Sequence, residues 1–392
     1  MQFKAGLSAN PHKGAAILEA CKPLADFAPD LAVIFVSHHH GPEFEDILDG
    51  VWGKLNCRNL IGCTGAGIIG PNQEVEDSPG LAVWGAKMPG VRILPFVIDQ
   101  NDVNDFEGVE VWQEHVGVTP SEKPGFVVLP EPFSIDSETC LAELDKAFPG
   151  SKIVGGMASG ASGPNQNRLF LNDQVLRQGM VGVSMSGPVT IDTVVSQGCR
   201  PIGEPFVITK AEQNVIYELR GKPALEMLRG VFNQAAPQDQ ALMQQGLQVG
   251  NVVDEHLDKF GQGDFLVRNL MGVVPETGLA VNALVRAGQT IQFHVRDSKS
   301  ADEEMRRMLS GKVASMNAPP TGGLLFSCNG RGKRMFGSAN HDIGIVNEVA
   351  RGCEVAGFFA AGEIGPVGHR TYVHGFTSSL VLFREAAKAA AE

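Results

Sequence analysis

Two stretches of this 392-residue sequence gather side chains that can do chemistry. In "SCNGRGKRMFG" (Ser327–Gly337) an apolar strand pattern ends at Phe326, and a thiol (Cys328), an amide (Asn329) and a guanidinium (Arg331) follow at once. An arginine between glycines can grip a carboxylate or phosphate with two N–H groups, neighbouring glycine amides adding donors. It can equally sit in a basic surface turn, with Lys333 and Arg334 in water. Cys328 is also a candidate nucleophile, with His374 as its base, where a nearby cation lowers the thiol pKa. The second stretch, "GEIGPVGHRTYVHGFT" (Gly362–Thr377), sets Glu363, two histidines and Arg370 between the apolar runs "GFFAA" and "SSLVLF". Charged side chains are rarely buried unless paired. The stretch is therefore either a solvated hairpin or the polar lining of a pocket. In the pocket reading Glu363 pairs Arg331 or receives a ligand ammonium. His374 and Thr377 add a switchable donor and a hydroxyl, and Arg370 stays at the surface.

The elements that must position these groups repeat along the chain. The pattern GxxGP occurs at Gly67–Pro71, Gly160–Pro164 and Gly362–Pro366, each time after a short apolar stretch. A strand pattern and a helical pattern precede every copy: "DLAVIFVS" and "FEDILDGVWGKL", "GFVVLP" and "SETCLAELDKAF", "GGLLFSCN" and "DIGIVNEVA". Returning strands follow in "GLAVWGA", "GMVGVSM" and "TSSLVLF". Leu141, Leu144 and Phe148 fall on one helical face. The expected fold is α/β with an α+β tendency. Mixed parallel and antiparallel sheets are flanked by helices and built from strand-helix-strand-glycine loop-strand pseudo-repeats. Ligands in such sheets collect where loops open on a shared edge. The loops at Asn329–Gly332 and Gly362–Gly368 are the first candidates. The glycine loops of the first two repeats, with Cys63, Thr64, Gly65, Gly67, Gly156, Ser159 and Gly160, are a second pocket or a wall.

Between the second and third repeats, "QGMVGVSM", "VTIDTVVS" and "PFVITK" read as a meander. So do "FLVRNLMGV", "GLAVNALV" and "TIQFHVRD", with turns at "PETG" and "RAGQ". The Gln-rich segment Gln234–Gln248 reads as a linker, and Ser300 with Glu303 as the capping box of the next helix.

Other signals are weaker. "GAGIIG" (Gly65–Gly70) has the GxGxxG spacing, but "PNQEVEDSPG" follows in place of the helix that would hold a pyrophosphate, so no dinucleotide cofactor is expected. "HHH" (His38–His40) lacks a nearby second ligand set, and a solvated loop is the reading. No metal site is expected. Seven cysteines without a CxxC pair suit reduced thiols in a cytoplasmic protein. A net charge of −12 with no long basic run argues against nucleic acid and anionic membrane as partners. No apolar run is long enough for membrane insertion.

Taken in order and spacing, these features resemble the FIST domain family. The resemblance rests on "IGCTGAG", "GGMASG", "GCRPIGEPFVITKAEQNVIYELRGKPALEML", "VRN", "RDSKS", "SCNGRG" and "GFFAAGEIGPVGH…HGFT", from about Asp30 to Phe383. It implies a FIST N-terminal domain over 1–222, with two pseudo-repeats at about 30–120 and 121–209, and a FIST C-terminal domain over 223–392. It implies a sensor that binds a small ligand, amino acids being the usual proposal, and relays this in signal transduction. It transfers no catalytic residues, so no enzyme is expected. No output domain is recognisable, the chain closing on the helical pattern "FREAAKAAAE", so a separate signalling protein is the expected partner. Cys328, Asn329, Arg331, Gly362, Glu363, His374 and Thr377 are the expected ligand-binding residues. Arg331 would hold a carboxylate and Glu363 an ammonium, as a zwitterion requires. The alternatives are an enzyme with a Cys328 nucleophile acting on a small carboxylate substrate and a ligand-free interaction scaffold.

Overall fold

Leu31, Val33 and Phe35 leave one side of the strand Leu31–Ser37, while Ala32, Ile34 and Val36 leave the other, and all six are buried. A strand buried on both faces calls for packing layers on each side, as in sheets with parallel strands and crossover helices. The structure, a computed structural model, supplies them. It describes residues 1–257, 259–261, 263–274 and 278–386, and the chain divides into two compact units, Met1–Val195 with Arg306–Glu392 and Ser196–Met305. This grouping cuts across the division expected at residue 222.

The first compact unit is built from three copies of one design. In each copy a leading strand and a helix precede a central strand, a second helix, a parallel strand and a returning strand. The central strands are Leu31–Ser37, Gly125–Pro130 and Gly322–Cys328, and their parallel partners are Leu60–Gly65, Ile153–Gly156 and Glu354–Ala360. The returning strands Leu81–Lys87, Met180–Ser186 and Ser378–Glu385 lie antiparallel on the other side. Gln2–Ser8, Arg92–Ile98 and Val189–Ser196 complete each sheet next to the returning strand. The expected repeat bounds, 30–120 and 121–209, therefore start one strand late. The first strand of a copy precedes any GxxGP signal and shares none of it.

Each sheet is finished by a hairpin from another copy. Ile68–Ile69 and Glu74–Val75 extend the third sheet, Leu169–Leu171 and Gln174–Leu176 the first, and Glu363–Val367 and Arg370–His374 the second. The exchange is cyclic and covers one otherwise open edge of every sheet. Alternate residues of the three central strands, among them Phe35, Leu129 and Phe326, share one core. The opposite faces pack under helices, as Ile34 does beside Ile47 and Val128 beside Leu141 and Leu144.

Gly62, Gly155 and Gly357 occupy equivalent positions, opposite Ile34, Val128 and Leu325. A Cβ on any of them would overlap the carbonyl oxygen of that partner. Alanine at each of the three should destabilise by about 1–3 kcal/mol, as overpacking does. Gly53→Ala, in a helix with nothing near its Cβ, should instead stabilise by about 0.5–1 kcal/mol. Urea midpoints of the four variants check this.

The second compact unit is antiparallel. Cys199–Glu212, Thr290–Arg296, Leu247–Val252, Phe265–Val274, Gly278–Val281 and Val215–Leu219 follow one another, and Cys199–Glu212 also pairs Val215–Leu219, closing the ring. Helices Ala224–Gln234 and Pro237–Gln245 cover part of it. The first expected meander is not one. "GMVGVSM" and "VTIDTVVS" belong to different sheets, and "PFVITK" lies in the long strand Cys199–Glu212. In the second, Thr290–Arg296 pairs Leu247–Val252 rather than Gly278–Val281, a long-range choice that periodicity does not encode. The Gln-rich segment is no linker, being a helix followed by a strand. Asp297, not Ser300, caps the helix Ser298–Ala314, accepting from the Lys299 and Ser300 N–H groups. The "PETG" turn lies outside the described residues up to Gly278. So does the expected C-terminal helix beyond residue 386, while Phe383–Glu385 complete the strand Ser378–Glu385. No helix among the described residues is long and apolar enough to cross a membrane.

Candidate functional site

The exchanged hairpin of the third copy brings the two chemical stretches together. Gly322–Cys328 ends in the third sheet, and Arg331 follows, 1% exposed. Its Nε donates to Asp342 Oδ2 and its Nη2 to Asp342 Oδ1, both at 2.8 Å. Asp342 also accepts from Ser327 Oγ at 2.6 Å and lies 2.9 Å from His341 Nδ1. Against the cost of burial, Arg331 and these hydrogen bonds hold the Asp342 carboxyl well below the usual range. Arg331 is thus not a ligand clamp, because a carboxylate of the chain already occupies its fork. Nor is it a basic surface turn, although Lys333 and Arg334 are exposed.

Glu363 is wholly buried. Its Oε2 accepts the Thr377 N–H at 3.0 Å, while its Oε1 has no hydrogen-bond partner among the described residues. Burial pushes its carboxyl well above the usual range, against the opposing pull of the Thr377 N–H, the Cys328 thiol and Arg331. Cys328 Sγ accepts N–H groups of Gly330 at 3.5 Å and Phe376 at 3.2 Å. Burial, and then the Glu363 charge, push this thiol up to about 12. The lowered pKa that a nucleophile needs is not found here. His374 lies across the hairpin from Glu363, its Nε2 at 2.9 Å from the Gly365 carbonyl, and Thr377 Oγ1 donates to the Gly375 carbonyl at 3.2 Å. Asn329 is exposed, its backbone N–H donating to the Ala360 carbonyl at 3.0 Å. Gly362 is a packing position, where a Cβ would meet Met157 Sδ at 2.8 Å.

The sister copies show which of these groups the fold itself needs. One residue after the equivalent glycines stand Cys63, Gly156 and Phe358, whose hairpin partners are Leu169, Glu363 and Ile68. Leu169 and Ile68 belong to the shared apolar core. A carboxyl group at the third such position meets no requirement of the architecture. Ser378 is a second case. Pairing makes it the equivalent of Leu81 and Met180, and its buried Oγ has no partner among the described residues.

The second expected loop group packs instead of opening. Cys63 is fully buried, and Thr64 Oγ1 accepts the Arg168 N–H at 3.1 Å. Ser159 Oγ accepts from Ala66 N and donates to the Phe359 carbonyl, tying all three copies together. Gly65, Gly67 and Gly156 lie tight against Phe358 or Phe359, and Gly160, at φ +95°, lies against His38. Each of these glycines has a side chain of another copy packed against it. His38 and His39 are exposed, but His40 is buried, and no group of three or more metal-ligating side chains occurs among the described residues.

Glu74 and Asp342 escape the sequence reading. Glu74 is 3% exposed, its Oε1 accepting the Ile343 N–H at 2.9 Å and its Oε2 having no partner among the described residues. Burial first, and the Asp342 charge second, raise its carboxyl to about 7. Below the unfolded pKa near 4.3 both states are protonated, and above about 7 both are ionised with the penalty complete. Stability from this group is therefore lost as pH rises from about 4.3 to 7. Glu74→Gln should gain on the wild type across that window, by at most about 3 kcal/mol at pH 8 relative to pH 4, read from urea midpoints.

The FIST N domain matches residues 30–222 and the FIST C domain residues 224–366. An uncharacterised protein of Mycobacterium tuberculosis is 41% identical over 388 residues, covering 98% of this chain and 100% of its own length. One from Mycobacterium bovis is 39% identical, covering 98% and 99%. Among solved structures, a cyanuric acid hydrolase from A. caulinodans aligns over 98% of this chain and 99% of that one, with a TM-score of 0.38 and 9% identity.

Proposed function

This chain belongs to the FIST family, and on that premise we propose that it is a cytoplasmic small-ligand-binding sensor whose ligand is read by Glu363. One observation carries the reading: a fully buried carboxyl with an unpartnered oxygen, where the sister copies place Leu169 and Ile68. An acceptor of this kind suits an ammonium or amide N–H. Amino acids remain within the ligand class, with the ammonium as the recognised end. Arg331 is spent on Asp342, so the carboxylate end is not held there. Thr377, Cys328 and Arg331 set the electrostatics of the acceptor, and His374 lies across the hairpin from it. The bound state would be relayed to a separate signalling protein.

A thermal-shift screen against amino acids, short amines and short carboxylates tests this. Binding to the native state alone adds about 2.7 kcal/mol at one hundred times the dissociation constant. Compounds bearing an N–H donor should raise the melting point, and Glu363→Gln should lose that response. Silence of the whole panel, or a response that survives in Glu363→Gln, would remove Glu363 as the site.

A further inference from the structure

Gly230 stands in the middle of the helix Ala224–Gln234, where glycine weakens a helix. No atom lies within 4 Å of where its Cβ would be, so packing does not require it. The space beside it belongs to a cavity of about 540 Å³ within the Ser196–Met305 unit, a size that suits a small organic ligand. Its far wall is the strand Cys199–Glu212, whose pairing with Thr290–Arg296 slips between Ile202 and Phe206. This bulge contains Gly203, at φ +69°. Bulges recur beside binding sites because they bend a strand away from its neighbours. The floor is apolar: Ile202, Phe206 and Val231 are buried, and Met227 is half-buried beside them.

Glu204, Glu226, Asp239 and Lys222 are the charged groups of its lining. Arg220 pairs Glu204 at 3.1 Å and Arg200 pairs Asp239, but Arg200 also serves Asp297 at 2.8 Å. Glu226 has no ion-pair partner among the described residues and is exposed at the rim. We propose that this cavity binds a small organic cation, an ammonium group carried on an aryl or branched-alkyl body. The body lies on Phe206, Met227 and Val231 in the room that Gly230 leaves open. The ammonium faces Glu226.

Three probes with one apolar body and different heads separate the classes: phenethylamine, 3-phenylpropionate and phenylalanine, titrated calorimetrically into the full chain. Phenethylamine should bind, with affinity about tenfold lower in Glu226→Gln, the order expected for one lost charge-assisted contact. Gly230→Leu fills the room and should abolish binding while the melting point holds or rises. Gly230→Ala, the milder change, should weaken binding and serves where the leucine variant fails to fold. No binding of phenethylamine, equal binding in the Gly230 variants, or tighter binding of either other probe would each overturn the assignment.

Discussion

Arg331→Ala should destabilise the protein by about 3–5 kcal/mol, and Asp342→Ala by a similar amount, because each leaves one buried charge uncompensated. Neither partner reaches water: Arg331 and Asp342 are each 1% exposed. Without Arg331, Asp342 keeps Ser327 and His341 among the described residues, too little to hold an ionised carboxylate in the interior. The double variant Arg331→Met with Asp342→Leu should recover most of the loss, since an apolar pair of similar volume often replaces a buried ion pair at little cost. Guanidinium melts of the two single variants and the double variant close the cycle. A ligand-clamping Arg331 would behave in the opposite way, with stability nearly intact and ligand response gone. A single-variant loss below about 1 kcal/mol would contradict the structural reading.

Much of the architecture was legible locally, and the reason is periodicity. "DLAVIFVS", "GFVVLP" and "GGLLFSCN" are short apolar runs with crossover helices behind them, and these repeat without reference to distant residues. The hairpin exchange was not legible. Ile68–Ile69 is two residues long and pairs with Phe358 and Gly357, almost three hundred positions away. No local pattern records that choice. For this reason a hairpin and a buried polar lining are not alternatives in "GEIGPVGHRTYVHGFT". Glu363–Val367 and Arg370–His374 do form a hairpin, and Arg370 at its tip is exposed. Because the hairpin enters the sheet of another copy, its Glu363 end is buried instead of solvated. Arg331 stands out in the sequence between its glycines, but its partner does not. Asp342 is the lone acid at the head of the otherwise apolar "DIGIV" pattern, eleven residues on, and only the fold of the turn between them brings the two together.

Glu363→Leu should remove the ligand response and, in the same protein, raise ligand-free stability at alkaline pH. The sister copies show that this position accepts a branched apolar side chain, since Leu169 and Ile68 fill it without exposure. Two effects oppose each other. The leucine leaves the Thr377 N–H without its acceptor, at a cost of about 1–3 kcal/mol that does not depend on pH. It also removes a carboxyl whose folded pKa lies well above its unfolded value. That wild-type group contributes most at low pH and loses stability as pH rises above about 4.3, at up to about 1.4 kcal/mol per pH unit until its folded pKa is passed. The leucine variant should therefore compare poorly with the wild type at pH 4.5 and favourably at pH 8. Glu363→Gln keeps an acceptor for Thr377 and removes only the ionisation, so it should show the same slope from a higher starting point. Urea midpoints at four or five pH values read both variants directly. If both lose the same stability at every pH, Glu363 is a structural residue. A wild type that gains on them as pH rises would mean that the carboxylate is stabilised in the interior, and the unpartnered oxygen would then have a partner in the chain. Only a relative gain with pH, together with a lost ligand response, marks a group kept at the expense of stability because something binds it.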